Sequence, residues 1–164
     1  MCRICDGFTI EEVIADDAAK IAEHGFMMQA VSASGRGDDP RSWVYTVGLL
    51  DMVGHPEMIV AGVDVETGGR VLSHLANSAI DDDERFEPGD VVELGTGCAE
   101  VGTVHAVHYG RNRGVFNVWY TMKQVRAVRA RRLRAVQIFL PSELCPFGER
   151  SWQPDLSDPA TRLG

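Results

Sequence analysis

Residues 45–63 read YTVGLLDMVGHPEMIVAGV, two apolar runs on either side of His55-Pro56-Glu57. How those runs fold decides the architecture. In residues 42–48 (SWVYTVG), Trp43, Tyr45 and Val47 fall on one side of an extended chain and Val44 and Thr46 on the other, because side chains alternate along a strand. Residues 58–63 (MIVAGV) carry no polar alternation, the pattern of a central strand buried on both faces. The tripeptide between them is either a turn whose polar groups meet water or a site held up by two strands.

Working outward, Thr9-Ile10-Glu11-Glu12 is a capping box, in which a hydroxyl and a carboxylate each satisfy an amide at a helix start. Ile10, Val13, Ile14, Ala18, Ile21 and Ala22 then recur at helical spacing. Gly25 is placed to end that helix as a left-handed cap, so a helix is predicted over about 10–24. FMMQAV (26–31) reads as a strand, and SASGRGDDPR (32–41) as a turn-forming loop. Val71, Leu72, Leu75, Ala76 and Ala79 mark a second helix over 65–80. After the polar linker 81–90, VVEL (91–94) and CAEVGTVHAVHY (98–109) read as strands around the turn Gly95-Thr96-Gly97. Residues 115–131 read as a third helix, and LRAVQIFL (133–140) as a last strand. Residues 141–164 form an irregular, proline-bearing tail. The order α β β β α β β α β, with short links, predicts a single domain, 1–164, of the α+β class: a mostly antiparallel sheet with about three helices packed on one face.

At 164 residues a core can cover roughly two thirds of the unfolded surface, so folding requires neither metal nor disulfide. No apolar run approaches the ~20 residues of a membrane-spanning helix. The opening MCRICDGFTIEEV lacks the basic region and apolar block of a secretory signal. The expected location is therefore cytoplasmic. There the four cysteines read as packing, metal-binding or reactive thiols before disulfides.

The formal charge of −8 is unevenly spread. Between Glu100 and Glu143 no acid occurs, and Arg111, Arg113, Lys123, Arg126, Arg129, Arg131, Arg132 and Arg134 lie in that gap. Such a segment docks on the protein's own acidic surface, contacts an acidic partner or nucleic acid, or forms an oligomer interface. Single-strand nucleic-acid binding is disfavoured, since only Tyr120 lies beside the segment as a stacking ring.

Two motifs could carry chemistry. Pro56 biases His55 to an extended backbone, so His55 and Glu57, two positions apart, are expected to project together. A carboxylate beside an imidazole raises its pKa and fixes its tautomer. That suits a general base, or a metal ligand with an orienting partner; Tyr45 is the candidate hydrogen-bond donor. Cys2-Arg3-Ile4-Cys5 has the spacing that lets two thiolates reach one zinc ion at about 2.3 Å. His24, His55, Cys98, Cys145, His105 and His108 are the completions available to such a site. A redox pair and an inert chain end are the alternatives. Gly35-Arg36-Gly37 and Gly95-Thr96-Gly97 do not open helices as a phosphate loop does, and both read as turns.

Taken together, MCRICDG, a helix ending His24-Gly25-Phe26, Trp43, Tyr45-Thr46-Val47-Gly48-Leu49 and Gly54-His55-Pro56-Glu57 resemble the bacterial domain of unknown function numbered family 4262. The resemblance covers residues 1–80 and thins beyond them, where Gln137, Gln153, Pro154 and Leu156 are similar to the family's C-terminal pattern. Phe26 stands where the family carries Trp. The resemblance points to where a site lies and implies no reaction.

The expectation is a small cytosolic protein with a metal- or thiol-dependent catalytic site: Cys2, Cys5 and His24 as ligands or thiols, zinc as the candidate cofactor, and His55, Glu57 and Tyr45 as catalytic groups. The alternative is a non-catalytic binding module that meets an acidic partner or nucleic acid through segment 111–134, nucleic acid being the less favoured. Homo-oligomer formation stays open, and no membrane association is expected.

Overall fold

The computed structural model describes residues 6–32, 41–94, 101–108, 112–125, 127–130, 132–141, 153–161 and 163. The elements run α1 (Ile10–His24), β1 (Met27–Val31), β2 (Trp43–Val47), α2 (Leu49–Met52), β3 (Glu57–Ala61), α3 (Val65–Asp81), β4 (Val91–Glu93), β5 (Val101–Ala106), a 3-10 turn (Arg113–Phe116), α4 (Asn117–Gln124) and β6 (Ala135–Phe139). The capping box forms as its residues dictate: Thr9 Oγ1 accepts from the Glu12 amide at 3.2 Å, and Glu12 accepts from the Thr9 amide at 2.8 Å. Gly25 closes α1 at φ 82°.

The six strands form one sheet in the order β1-β2-β3-β6-β5-β4. The β3–β6 pair, with Glu57 opposite Ala135, is parallel. Every other pair is antiparallel. The architecture is α+β with a mostly antiparallel sheet, as the element order implies.

The helices are not confined to one face, and there are four α-helices among the described residues. Val44, Met58, Val60, Val136 and Ile138 turn to one core, which α3 covers with Val71, Leu72, Leu75 and Ala76. Trp43, Tyr45, Ile59, Ala61 and Ala135 turn to a second core, which receives Ile21 of α1 and Trp119 and Met122 of α4. The physical reason lies in the opening stretch. Both β2 and β3 are buried at every position, so each face of the sheet needs a covering layer. At Gly68 of α3 an added Cβ would stand 3.3 Å from a Val44 methyl; here glycine permits close approach of helix to sheet.

The expected helix over 115–131 is shorter, ending at Gln124. Asp51, on α2, supplies the cause. Its carboxylate accepts from the backbone amides of Arg129 and Ala130 at 2.5 and 2.6 Å, which holds them off a helical path. The proline-bearing tail is pinned at residues 153–156 by two glutamines. Gln137 donates to the Pro154 carbonyl at 2.7 Å and accepts from the Leu156 amide at 2.9 Å. Gln153 in turn brackets the backbone of Leu140.

Candidate functional site

Glu57 opens β3 with its side chain fully buried. Its Oε1 accepts from the amides of Gly48 and Leu50 at 2.9 and 3.3 Å, and its Oε2 from the Thr46 hydroxyl at 2.8 Å. Thr46 Oγ1 accepts in turn from the Met58 amide at 2.8 Å. A carboxylate eleven residues from Thr46 thus ties the turn at the start of α2 to the start of β3. Gly48 makes that turn at φ 119°, where an added Cβ would meet Ile21 at 2.8 Å. Loss of solvent pushes the Glu57 carboxyl up to about 7, against hydrogen bonds that favour its charged form.

His55 is also fully buried. Its Nε2 accepts from the Phe86 amide at 3.1 Å, which requires an unprotonated nitrogen. The proton therefore sits on Nδ1, 2.6 Å from the Pro56 carbonyl. The ring packs edge-on against Phe86 at 5.3 Å. Burial lowers its pKa, and the charges of Arg85 and Arg134 add to that effect. Both arginines hold the adjoining turn: Arg85 donates to the Val53 carbonyl at 3.0 Å and Arg134 to that of Gly54 at 2.7 Å. No hydrogen bond joins His55 to Glu57 among the described residues; each has its own partners.

Tyr45 is buried on the opposite core, edge-on to Phe116 at 5.1 Å, and its hydroxyl accepts from the Val118 amide at 3.0 Å. Burial, and to a lesser degree the charges of Glu57 and Asp17, raises the phenol above its ordinary range. His24 lies exposed at the end of α1, 3.7 Å from Glu23. Cys2, Cys5, Cys98 and Cys145 lie outside the described residues. Among the described residues no three His, Cys, Asp or Glu side chains are grouped to hold a metal ion, and no helix is long and apolar enough to cross a membrane.

The open features lie around α1. One cleft, about 250 Å³, runs between Ala18, Ile21 and Ala22 on one side and Asp51, Met52, Ala127 and Arg129 on the other. An adjoining cleft of about 310 Å³ shares Ala18 and Ala127 with it and adds Ile14, Ala15 and Val125. The two make one groove between α1 and the segment after α4. Met52 and Val125 are half exposed beside it.

Segment 111–134 divides into engaged and open cations. Arg113 lies over the Tyr120 ring at 4.8 Å. Lys123 donates to the Ala130 carbonyl and sits 5.3 Å from the Trp119 ring centre. Arg134 is held by Gly54. Arg129 and Arg132 are exposed, and their guanidinium groups make no hydrogen bond or ion pair among the described residues. Arg111, Arg126 and Arg131 lie outside those residues.

Reading the sequence alone passed over Asp51 and Asp17. Asp51 gave no local signal, because its partners are 78 and 79 residues away. Asp17 did give one: it is an acid set among Val13, Ile14 and Ile21 on the apolar stripe of α1.

No curated protein and no solved structure matches the chain. A family model described as a domain of unknown function matches residues 20–145, spanning β1 to β6, and the chain belongs to that family, DUF4262.

Proposed function

We propose that this domain is a non-catalytic binding module that meets an acidic peptide segment through the basic end of the groove between α1 and residues 125–134. One observation carries the reading. Arg129 stands exposed at the rim of an apolar groove, and its guanidinium makes no hydrogen bond or ion pair among the described residues, in a chain whose net charge is −8. The groove supplies apolar surface through Ile14, Ala18, Val125 and Ala127, Arg129 supplies charge at its rim, and Arg132, exposed three residues further along the chain, adds to it. Of the two acids that line the groove, Glu11 lies at its far end from Arg129, and Asp51 has its carboxylate turned to two backbone amides, which reduces its repulsion of an incoming acid.

The buried groups add support from the other direction. His55, Glu57 and Tyr45 are each 0% exposed, and each is hydrogen-bonded to a neighbouring backbone amide. That is the arrangement of groups that hold a turn, since a general base needs reach to a substrate proton.

The test is fluorescence anisotropy with a labelled amphipathic peptide of Glu and Leu. The expected result is saturable binding at low salt, weakening steeply as salt rises, with affinity reduced about tenfold in an Arg129→Ala, Arg132→Ala double variant. No binding at low salt, or binding indifferent to both arginines, removes the proposal.

A further inference from the structure

The two edges of the sheet are built differently. β4 is described over three residues, carries Glu93 and follows Pro88 and Gly89. Short length, charge and proline are devices that keep an edge from pairing with another chain. β1 has five residues, Met27-Met28-Gln29-Ala30-Val31, with neither a charge nor a proline. No strand lies beyond it among the described residues. Ala30 stands opposite Val44, and Met28 opposite Thr46. Both side chains therefore lie on the face that α3 covers further in. At β1 that face is open: Ala30 is exposed, and Met28 is 38% exposed.

The backbone shows which groups of β1 face outward. The Ala30 carbonyl accepts from the side-chain amide of Gln29 at 2.9 Å, a bond made at the open edge rather than across to β2. Alternation along an antiparallel strand then turns the amides and carbonyls of both Met28 and Ala30 away from β2. Gln29 lies midway between them.

We propose that the β1 edge is the contact between two copies of this chain, paired antiparallel about a two-fold axis at Gln29, so that two six-stranded sheets join into one. The axis at Gln29 is the one that pairs the whole strand with itself. Met28 of each copy then faces Ala30 of the other, and their outward amides and carbonyls exchange hydrogen bonds. On the α3 face a large side chain meets a small one in both pairs. The two Gln29 side chains meet at the axis, where each amide can bond the other instead of its own Ala30 carbonyl. Met27 faces Val31 of the second copy, beside a hollow of about 330 Å³ lined by Lys20, His24, Phe26, Met27 and Met28. The contact uses none of the residues lining the Arg129 groove and does not rest on peptide binding there.

The experiment is sedimentation velocity of the full chain, reduced, at about 100 µM, ten times the ~10 µM dissociation constant expected of an interface at the small end of the range. A dimer is expected, with more of it at ~0.5 M salt than at ~0.05 M, because salt screens the repulsion between two chains of formal charge −8. Peptide binding in the groove has the opposite salt dependence. Met28→Lys sets two ammonium groups on one face of the seam and is expected to weaken the dimer more than tenfold. Under oxidising conditions Gln29→Cys is expected to link two chains through position 29, because a non-hydrogen-bonded pair brings its side chains close. Met28→Cys, whose position faces Ala30 of the other copy, is expected not to link through position 28. Peptide mapping by mass spectrometry locates each link among the native cysteines. The proposal is overturned by a chain that is monomeric at both salt concentrations, even if its edge takes up an unrelated strand-forming peptide. It is overturned equally by a dimer undiminished in folded Met28→Lys, or by Gln29→Cys that does not link through position 29. If Met28→Lys does not fold, the mapped position of the link decides alone.

Discussion

Two helices of similar length cover opposite faces of the same sheet, and they are seated very differently. α3 has 17 residues and buries Gly68, Val71, Leu72, Leu75, Ala76 and Ala79. α1 has 15 residues and buries Asp17 and Ile21. The difference begins in composition. Small residues at Gly68, Ala76 and Ala79 let α3 lie close on the sheet, between larger side chains that fill the core. The inner stripe of α1 starts with Ile10, which stays 53% exposed, and includes an acid. A deeply seated helix leaves no room for a ligand. A shallowly seated one leaves open clefts beside it, and the groove at Arg129 is where we place binding.

The comparison breaks most readily in stability measurements. Leu72→Ala, at a fully buried position, is expected to cost about 3–4 kcal/mol in urea unfolding, as cavity-forming core changes do. Ile14→Ala, half-buried on α1, is expected to cost less than about 1 kcal/mol, close to what surface changes cost. Equal losses would mean that α1 is as firmly seated as α3.

The pH dependence sharpens the picture of Glu57. Its folded carboxyl is raised from 4.5 to about 7. The folded state therefore holds the proton more tightly than the unfolded state. The resulting stability is fully present below about 4.5 and is lost as pH rises to about 7. Glu57→Gln removes this titration. Relative to that variant, the native protein is expected to lose about 3 kcal/mol across the interval. Parallel stability curves would show that Glu57 titrates as it would in solvent. His55 has the opposite sign. Its folded pKa is lowered from 6.5, so its contribution is lost as pH falls below that value. A His55→Gln variant, which keeps an acceptor for the Phe86 amide, is expected to flatten the acid side of the curve.

Much of this was legible before any coordinates. The capping box at Thr9, the Gly25 cap, the stripes of α1 and α3 and the buried strand after Pro56 are local patterns, and each formed. Trp43, Val44 and Tyr45 make both faces of β2 apolar, which implies two helical layers; element order alone, from which helices on one face were expected, does not carry that information. The early end of α4 was hidden because it depends on Asp51, far away in sequence. The partners of His55 and Glu57 were hidden for the same reason. Spacing sets which way a side chain leaves the backbone; it does not say whether a Phe86 amide waits there.

A smaller effect is expected at Tyr45, whose hydroxyl satisfies the Val118 amide. Tyr45→Phe leaves that amide without its acceptor and is expected to cost about 1–2 kcal/mol. Amide hydrogen exchange orders the two helices directly. α1 is expected to exchange by local opening, well before α3, which should exchange only with global unfolding. Equal protection would contradict the shallow seating of α1.

The most direct test of the working face is backbone amide NMR during titration with the acidic peptide. Shift changes are expected to cluster on α1, residues 125–134 and α2, to disappear at high salt, and to leave α3 unmoved. Changes centred on His55, Glu57 and Phe86, or the absence of any change at low salt, would contradict the placement of binding at the Arg129 groove.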